Sequence, residues 1–211
     1  MPYGYLGQNT PNQTKSNSGV FSISDVADLT KQGKFGGSLE LIEEQSITSS
    51  TATMEFTNIQ EAKYDVHLLQ IDSFYATAQR NLLVRLSNDS GSSYISTGYQ
   101  YAYQYGQANG SFGEDRSTNY NAMSLVTYGG DTIQESQNTY IYFYNLGNSS
   151  KYSFSTFQNT GVQTGVYGML IGGSVLPTAE THNAIQLLPT LSTNIANLQA
   201  KLYGVKQLWV L

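Results

Sequence analysis

In the run Tyr99-Gln100-Tyr101-Ala102-Tyr103-Gln104-Tyr105 an aromatic ring falls on every second residue. Only an extended strand has that period. Its successive side chains point to opposite faces, whereas a helix would scatter these rings around its circumference. The spacing therefore predicts one strand with its tyrosines on a single face. Tyr140-Ile141-Tyr142-Phe143-Tyr144 repeats the pattern. Leu82, Val84 and Leu86 alternate with Leu83 and Arg85, and Tyr152 with Phe154 alternate with Ser153 and Ser155. Both read as half-buried strands. Asn88-Asp89-Ser90-Gly91 and Asn145-Leu146-Gly147-Asn148 carry the residues that tolerate positive φ, and each reads as a hairpin turn.

Extended across the chain, the same reading gives candidate strands at 38–47, 52–58, 64–71, 81–87, 93–105, 122–128, 139–145, 151–157, 165–171, 184–188 and 199–205. About eleven short strands at roughly 8–15-residue spacing, without long interleaved helices, predict an antiparallel, jelly-roll-like β-sandwich. No 20- to 50-residue repeat is visible, which disfavours solenoids and propellers. Between Ala179 and Leu198 the reading is a strand broken at Leu187-Leu188-Pro189, then a short helical turn through Leu191, Ile195 and Leu198. One early helix is expected, capped by Ser24, with Asp25 and Asp28 in its first turn and Gly33 as its stop. Gly36-Gly37 then separates an attachment region, 1–37, from a sandwich domain, 38–211.

The first eighteen or so residues are Gly, Asn, Gln, Thr and Ser with two prolines, a composition unable to bury a core of its own. They read either as a disordered tail or as an arm that orders on a neighbour. Tyr3, Tyr5, Leu6, Val20, Phe21 and Ile23 favour the arm, since apolar residues have no use in a purely solvated tail.

Charged residues are 12% of the chain and the net charge is −5 with 10 Lys plus Arg. Without a basic cluster, nucleic-acid binding is not expected. With no cysteine, disulfides, thiolate metal sites and Cys nucleophiles are ruled out. The chain does not begin with a basic segment and an apolar core, and no apolar run approaches the ~18 residues of a membrane span. A soluble, cytoplasmically made product without membrane insertion is expected.

Catalytic groups are sparse. His67 sits in a β run and reads as a packed or rim residue, and His182 in the polar turn Glu180-Thr181-His182-Asn183 reads as exposed. Glu43, Glu44, Asp72, Glu114, Asp115 and Asp131 could supply a glycosidase pair, but no motif surrounds them. Glu114-Asp115 reads as part of a loop where calcium or sugar could bind, without the spaced ligands of a defined calcium loop. No phosphate-binding glycine loop is present. The chain is expected to be non-enzymatic, with no cofactor and no metal.

The tyrosine strand has three readings: cross-strand packing, a subunit interface, and stacking against sugar rings on a host surface. Few charges are available to pair across a contact, which ranks the interface above the sugar. The residues predicted to meet a partner are Tyr3, Tyr5, Leu6, Phe21, Tyr99, Tyr101, Tyr103, Tyr105 and Trp209.

Several stretches resemble small virion structural proteins of tailed bacteriophages, notably those of marine phages. They are Gly4-Tyr5-Leu6-Gly7-Gln8, Ser18-Gly19-Val20-Phe21-Ser22-Ile23-Ser24-Asp25-Val26 and Gly33-Lys34-Phe35-Gly36-Gly37-Ser38-Leu39-Glu40-Leu41-Ile42. Others are Tyr64-Asp65-Val66-His67, Tyr144 through Phe154, and Lys201-Leu202-Tyr203-Gly204-Val205-Lys206. The closing Gln207-Leu208-Trp209-Val210-Leu211 departs from that pattern. The resemblance implies a virion location and a decoration, cement or knob subunit, often a homotrimer, held to a capsid or tail protein by its N-terminal arm. The alternative is a tail-fibre protein that recognises a host receptor or glycan, with the tyrosine strand and the 106–120 loop meeting the host.

Overall fold

The computed structural model describes residues 22–31, 38–124 and 129–206. Tyr3, Tyr5, Leu6, Phe21 and Trp209, most of the predicted arm, the Gly33 helix stop and the second half of the 122–128 strand lie outside the described residues.

The predicted helix is α1, Ile23–Lys31. Its cap is Ser22 rather than Ser24. The Asp25 amide donates to Ser22 Oγ at 3.1 Å, and the Ser22 amide donates back to Asp25 Oδ2 at 3.2 Å. That reciprocal box needs an acid at the third helical position, which Ser22 has in Asp25 and Ser24 would lack, with Ala27 there.

A separate compact unit spans Leu39–Lys206 and is an antiparallel β-sandwich. Its strands are β1 (Leu39–Ile47), β2 (Met54–Phe56), β3 (Val66–Ala76), β4 (Leu82–Ser87), β5 (Tyr99–Gln107) and β6 (Phe112–Tyr120). They continue with β7 (Met123–Ser124), β8 (Gln137–Tyr144), β9 (Ser153–Gln163), β10 (Val166–Leu176), β11 (Ala184–Pro189) and β12 (Ile195–Val205). Eight strands form one sheet in the order β1-β12-β3-β8-β9-β10-β5-β6, and four form the other in the order β2-β11-β4-β7.

The core lies between the sheets. From the small sheet come Phe56, Leu82, Val84, Leu86, Ile185 and Leu187, and from the large one Leu69, Ile71, Ile141, Phe143, Phe157 and Leu202. Each fully buried Leu, Ile or Phe contributes roughly 1.5–3 kcal/mol, so this layer holds the two sheets together. The facing read at β4 is borne out, since Leu82, Val84 and Leu86 face this layer, but the strand is not half-buried: Leu83 on the other side is buried as well.

Turn chemistry fixes the hairpins. β9 and β10, eleven residues each, are joined by Thr164 (φ 51°) and Gly165 (φ 75°), both left-handed, as a two-residue primed turn requires. Asn145 (φ 65°) starts the β8–β9 connection as expected. The Asn88–Gly91 turn also has left-handed Ser90 and Gly91, yet it does not close a hairpin. β4 pairs with β11 and β7, whereas β5 belongs to the other sheet, so the chain crosses between layers there. The expected strand over 93–105 accordingly begins only at Tyr99, after Gly98 turns the backbone at φ 85°.

Two further expectations are corrected. The 106–120 segment is not a loop: Phe112–Tyr120 is edge strand β6, paired along β5. It shows no apolar alternation because almost all its residues are exposed or half-exposed, and its charges suit an unpaired edge. The helical turn expected through Leu191, Ile195 and Leu198 is instead a turn into β12, which buries Ile195 and Leu198 in the core. Pro189 ends β11, where its missing amide costs no central ladder bond.

Candidate functional site

The tyrosines of β5 point inward. Tyr99 is 0% exposed and its hydroxyl receives the Leu86 amide at 2.8 Å, tying β5 to β4 across the sandwich. Tyr101 and Tyr103 stack with centroids 5.6 Å apart and planes 9° off parallel, and Tyr120 meets Tyr101 edge-on at 5.3 Å. Both hydroxyls donate to Asp115 Oδ2, at 3.1 and 2.9 Å. Tyr105 is half-buried against the same core. Burial holds the phenols of Tyr99 and Tyr101 well above their ordinary pKa, with the Asp115 carboxylate adding to the rise at Tyr101. Tyr99, Tyr101 and Tyr103 are therefore spent inside their own sandwich. This corrects the expectation that they present a ladder of rings to a partner or a host.

The opposite happens one face away. On β8, Ile141 and Phe143 fill the core, leaving Tyr140, Tyr142 and Tyr144 on the outer face of the eight-stranded sheet. On β9, Ser153 and Ser155 are buried while Phe154 is 43% exposed, so the aromatic side of that alternation is the wet one. The inner space is filled by polar contacts: Ser153 Oγ lies 2.8 Å from His182 Nδ1, and Ser155 Oγ donates to Ser174 Oγ. On β10, Tyr167, Met169 and Ile171 face out.

Strand registers set these side chains in rows. Ile171 stands beside Gln158 on one side and Gln104 on the other, and Gln158 stands beside Tyr140. The Tyr140 hydroxyl donates to Gln158 Oε1 at 2.6 Å. That row continues from Tyr140 to Gln70, Lys201 and Glu44; in the next row Tyr142 stands opposite Leu68, Leu68 opposite Tyr203, and Tyr203 opposite Leu41. Leu68 is nearly covered and Leu41 is 51% exposed. Lys201 and Glu44 sit in the adjoining row, 3.4 Å apart, exposed and therefore a weak pair.

A trench runs over β5 on this outer face. The strand offers only Gln100, Ala102, Gln104 and Gly106 there, and Gly173 of β10 lies beside Ala102. A Cβ at Gly173 would stand 2.9 Å from the Ser155 carbonyl, so the floor tolerates no larger residue without a shift. One part, about 800 Å³, is lined by Gln100, Ala102, Arg116, Thr118, Phe154 and Val175. Another, about 420 Å³, is lined by Gln104, Gly106, Phe112, Glu114, Met169 and Ile171. Arg116 pairs with Glu114 along the wall.

The carboxylates expected to share a loop are divided by the strand that contains them. Glu114 stands opposite Gln104 on the outer side, whereas Asp115 reaches the inner tyrosines. They do not converge on one ion. Among the described residues no cluster of three or more His, Cys, Asp or Glu side chains gathers, and no helix is long and apolar enough to cross a membrane.

Contrary to expectation, His182 is fully buried. Its amide donates to the Leu146 carbonyl at 2.8 Å, and its Nε2 lies 3.2 Å from Glu180 Oε1. Ser153, His182 and Glu180 thus form a chain of contacts like that of a nucleophile, base and acid. Ser153 and His182 are both 0% exposed, so the serine oxygen has no approach for a substrate and the array instead pins the segment before β11 to β9. His67 is buried too, with Nε2 donating to the Ile59 carbonyl at 2.8 Å. Desolvation lowers the pKa of both imidazoles, partly offset by the Ile59 carbonyl at His67 and by Glu180 at His182.

The outer-face residues Phe154, Tyr167, Met169 and Ile171 were not singled out from the sequence. The signal was present in β10: its outward set Tyr167, Met169, Ile171, Gly173 and Val175 is more apolar than its inward set Gly168, Leu170, Gly172, Ser174 and Leu176. A strand apolar on both faces is one whose sheet is covered on both sides or waits to be. No family model, curated protein or solved structure matches this chain.

Proposed function

We propose that the chain is a structural subunit of a tailed-bacteriophage particle, a decoration, cement or knob protein that docks on a neighbouring virion protein. The observation that carries this reading is the outer face of the eight-stranded sheet. There Leu41, Tyr203, Leu68 and Tyr142 run side by side across β1, β12, β3 and β8, with Tyr140 two residues along β8 in the adjoining row. Tyrosine suits a surface that is wet before assembly and dry after it, because its ring buries area while its hydroxyl keeps a partner. The low charge of the chain and its resemblance to virion proteins support the same role. Residues 1–23 supply the tether, and a homotrimer is the assembly expected.

The test is incorporation into particles. Changing Tyr140, Tyr142 and Tyr203 together to serine leaves the sandwich folded and is expected to strip the protein from purified particles. Full incorporation of that variant sinks the docking role of this face. Deleting residues 1–20 tests the tether separately, and light scattering of the purified protein reads the copy number.

A further inference from the structure

We infer that the trench over β5 is a binding site for a neutral, linear oligosaccharide. The site lies apart from the tyrosine field of β8 and β12, and the inference does not depend on the particle role. From Gln100 to Gly106 the trench runs about 20 Å at ~3.3 Å per residue, the length of several pyranose rings laid end to end. Its two parts have volumes of about 800 and 420 Å³, inside the roughly 300–1,000 Å³ range of ligand clefts.

The lining has the two kinds of group that a sugar chain needs. Flat apolar surfaces take the C–H faces of the rings: Phe154 is 43% exposed at one end, and Phe112 is 83% exposed at the other, its ring lying against Gly106. Gln100 and Thr118 beside Phe154, and Gln104 nearer Phe112, present amide and hydroxyl groups to the hydroxyl edges. The floor of Ala102 and Gly173 lets a ring approach the sheet closely.

The competing ligands fit worse. An extended peptide binds a sheet by its free edge and would add beside β6 rather than enter the trench, because the β5 backbone beneath it is paired on one side by β10 and on the other by β6. A phosphate chain needs several cations, whereas the trench wall offers Arg116, already paired with Glu114. The role is retention rather than cleavage, since hydrolysis needs two carboxylates flanking one bond and Asp115 is turned to the inner face beside Glu114.

Calorimetric titration of the full chain with neutral β-1,4-linked hexasaccharides of glucose, mannose, xylose and N-acetylglucosamine tests the site. At least one hexamer is expected to bind, more tightly than its own trimer. Phe154→Ala and Gln104→Ala are each expected to weaken it about tenfold or more, a factor near ~1.4 kcal/mol. Leu191→Ala, at a residue 79% exposed and outside the trench, leaves the affinity unchanged, and thermal unfolding of each variant verifies the fold. Absence of binding to every hexamer, or binding that survives both trench substitutions, overturns the assignment.

Discussion

β5 and β8 carry the same device, tyrosine at every second residue, and use it in opposite ways. In β5 the rings face the core and the residues between them, Gln100, Ala102 and Gln104, face water. In β8 the rings face water and the residues between them, Ile141 and Phe143, face the core. A strand in a sandwich buries whichever of its two sets transfers more favourably out of water. Tyrosine outranks glutamine and alanine but loses to isoleucine and phenylalanine. The period therefore says which residues share a face, and the partner set says which face is inside. Tyrosine is the residue that can go either way, because its hydroxyl finds Asp115 or the Leu86 amide inside and Gln158 outside.

The largest expected effect comes from attacking the set that won in β8. Phe143 is 0% exposed, and Phe143→Ala is expected to cost about 3–5 kcal/mol of unfolding free energy, the usual range for a buried aromatic replaced by alanine. Urea unfolding reads it as a lower midpoint. A loss below about 1 kcal/mol would mean that β8 is held by its outer tyrosines, and the comparison would fail at its base.

Next in size is the hydroxyl of Tyr99. Tyr99→Phe keeps the ring but leaves the buried Leu86 amide without the acceptor it has at 2.8 Å. The expected cost is about 1–3 kcal/mol, the penalty for a stranded buried donor. Amide exchange at Leu86 should accelerate together with the drop in stability, which separates this cause from general loosening.

Those two strands also mark how far the sequence could be read. The strands, the antiparallel sandwich and the helix are legible because period and turn residues are local signals: Leu82, Val84 and Leu86 alternate, and Asn145 takes positive φ. Facing is legible as well, once the two sets in Tyr140–Tyr144 are compared with each other rather than only counted. Edge strand β6 is not legible, because a strand with neither face buried has no apolar pattern to show. The burial of His182 is hidden for a different reason. Its partners Ser153 and Leu146 lie far away in sequence, and only the β8–β9 connection brings them together. The trench was equally out of reach, since its walls come from β5, β6, β9 and β10, and small residues such as Ala102 and Gly173 mark it by what they lack.

The inner polar contacts give a further contrast that pH can read. Burial holds the imidazoles of His67 and His182 below their ordinary 6.5. Both are neutral when folded and protonate more readily once unfolded, so the unfolded chain binds more protons as pH falls through about 6.5. Stability from these groups is fully present above that value and is lost as pH falls from it toward the lowered folded values. Asp89, held at about 2 by hydrogen bonds from Ser93 and Ser87, titrates well below this window. Urea midpoints should therefore decline between pH 7 and pH 5, and His67→Gln with His182→Gln should flatten the decline. An unchanged slope in the double variant would assign the pH dependence to other groups.

The smallest expected effect completes the pair with Tyr99. Tyr140 is 45% exposed and its hydroxyl donates to Gln158 on the outer face. When Tyr140→Phe removes that bond, water takes its place at Gln158, so nothing buried is left without a partner. Stability should move by less than about 0.5 kcal/mol, the usual span for a surface change. The same atom deleted from the same kind of residue thus costs several times less, because on the inner face it serves a buried backbone amide and on the outer face a solvated side chain. Equal losses in Tyr99→Phe and Tyr140→Phe would mean that the outer face of β8 is covered in the folded protein, and the docking surface would have to be sought elsewhere on the sheet.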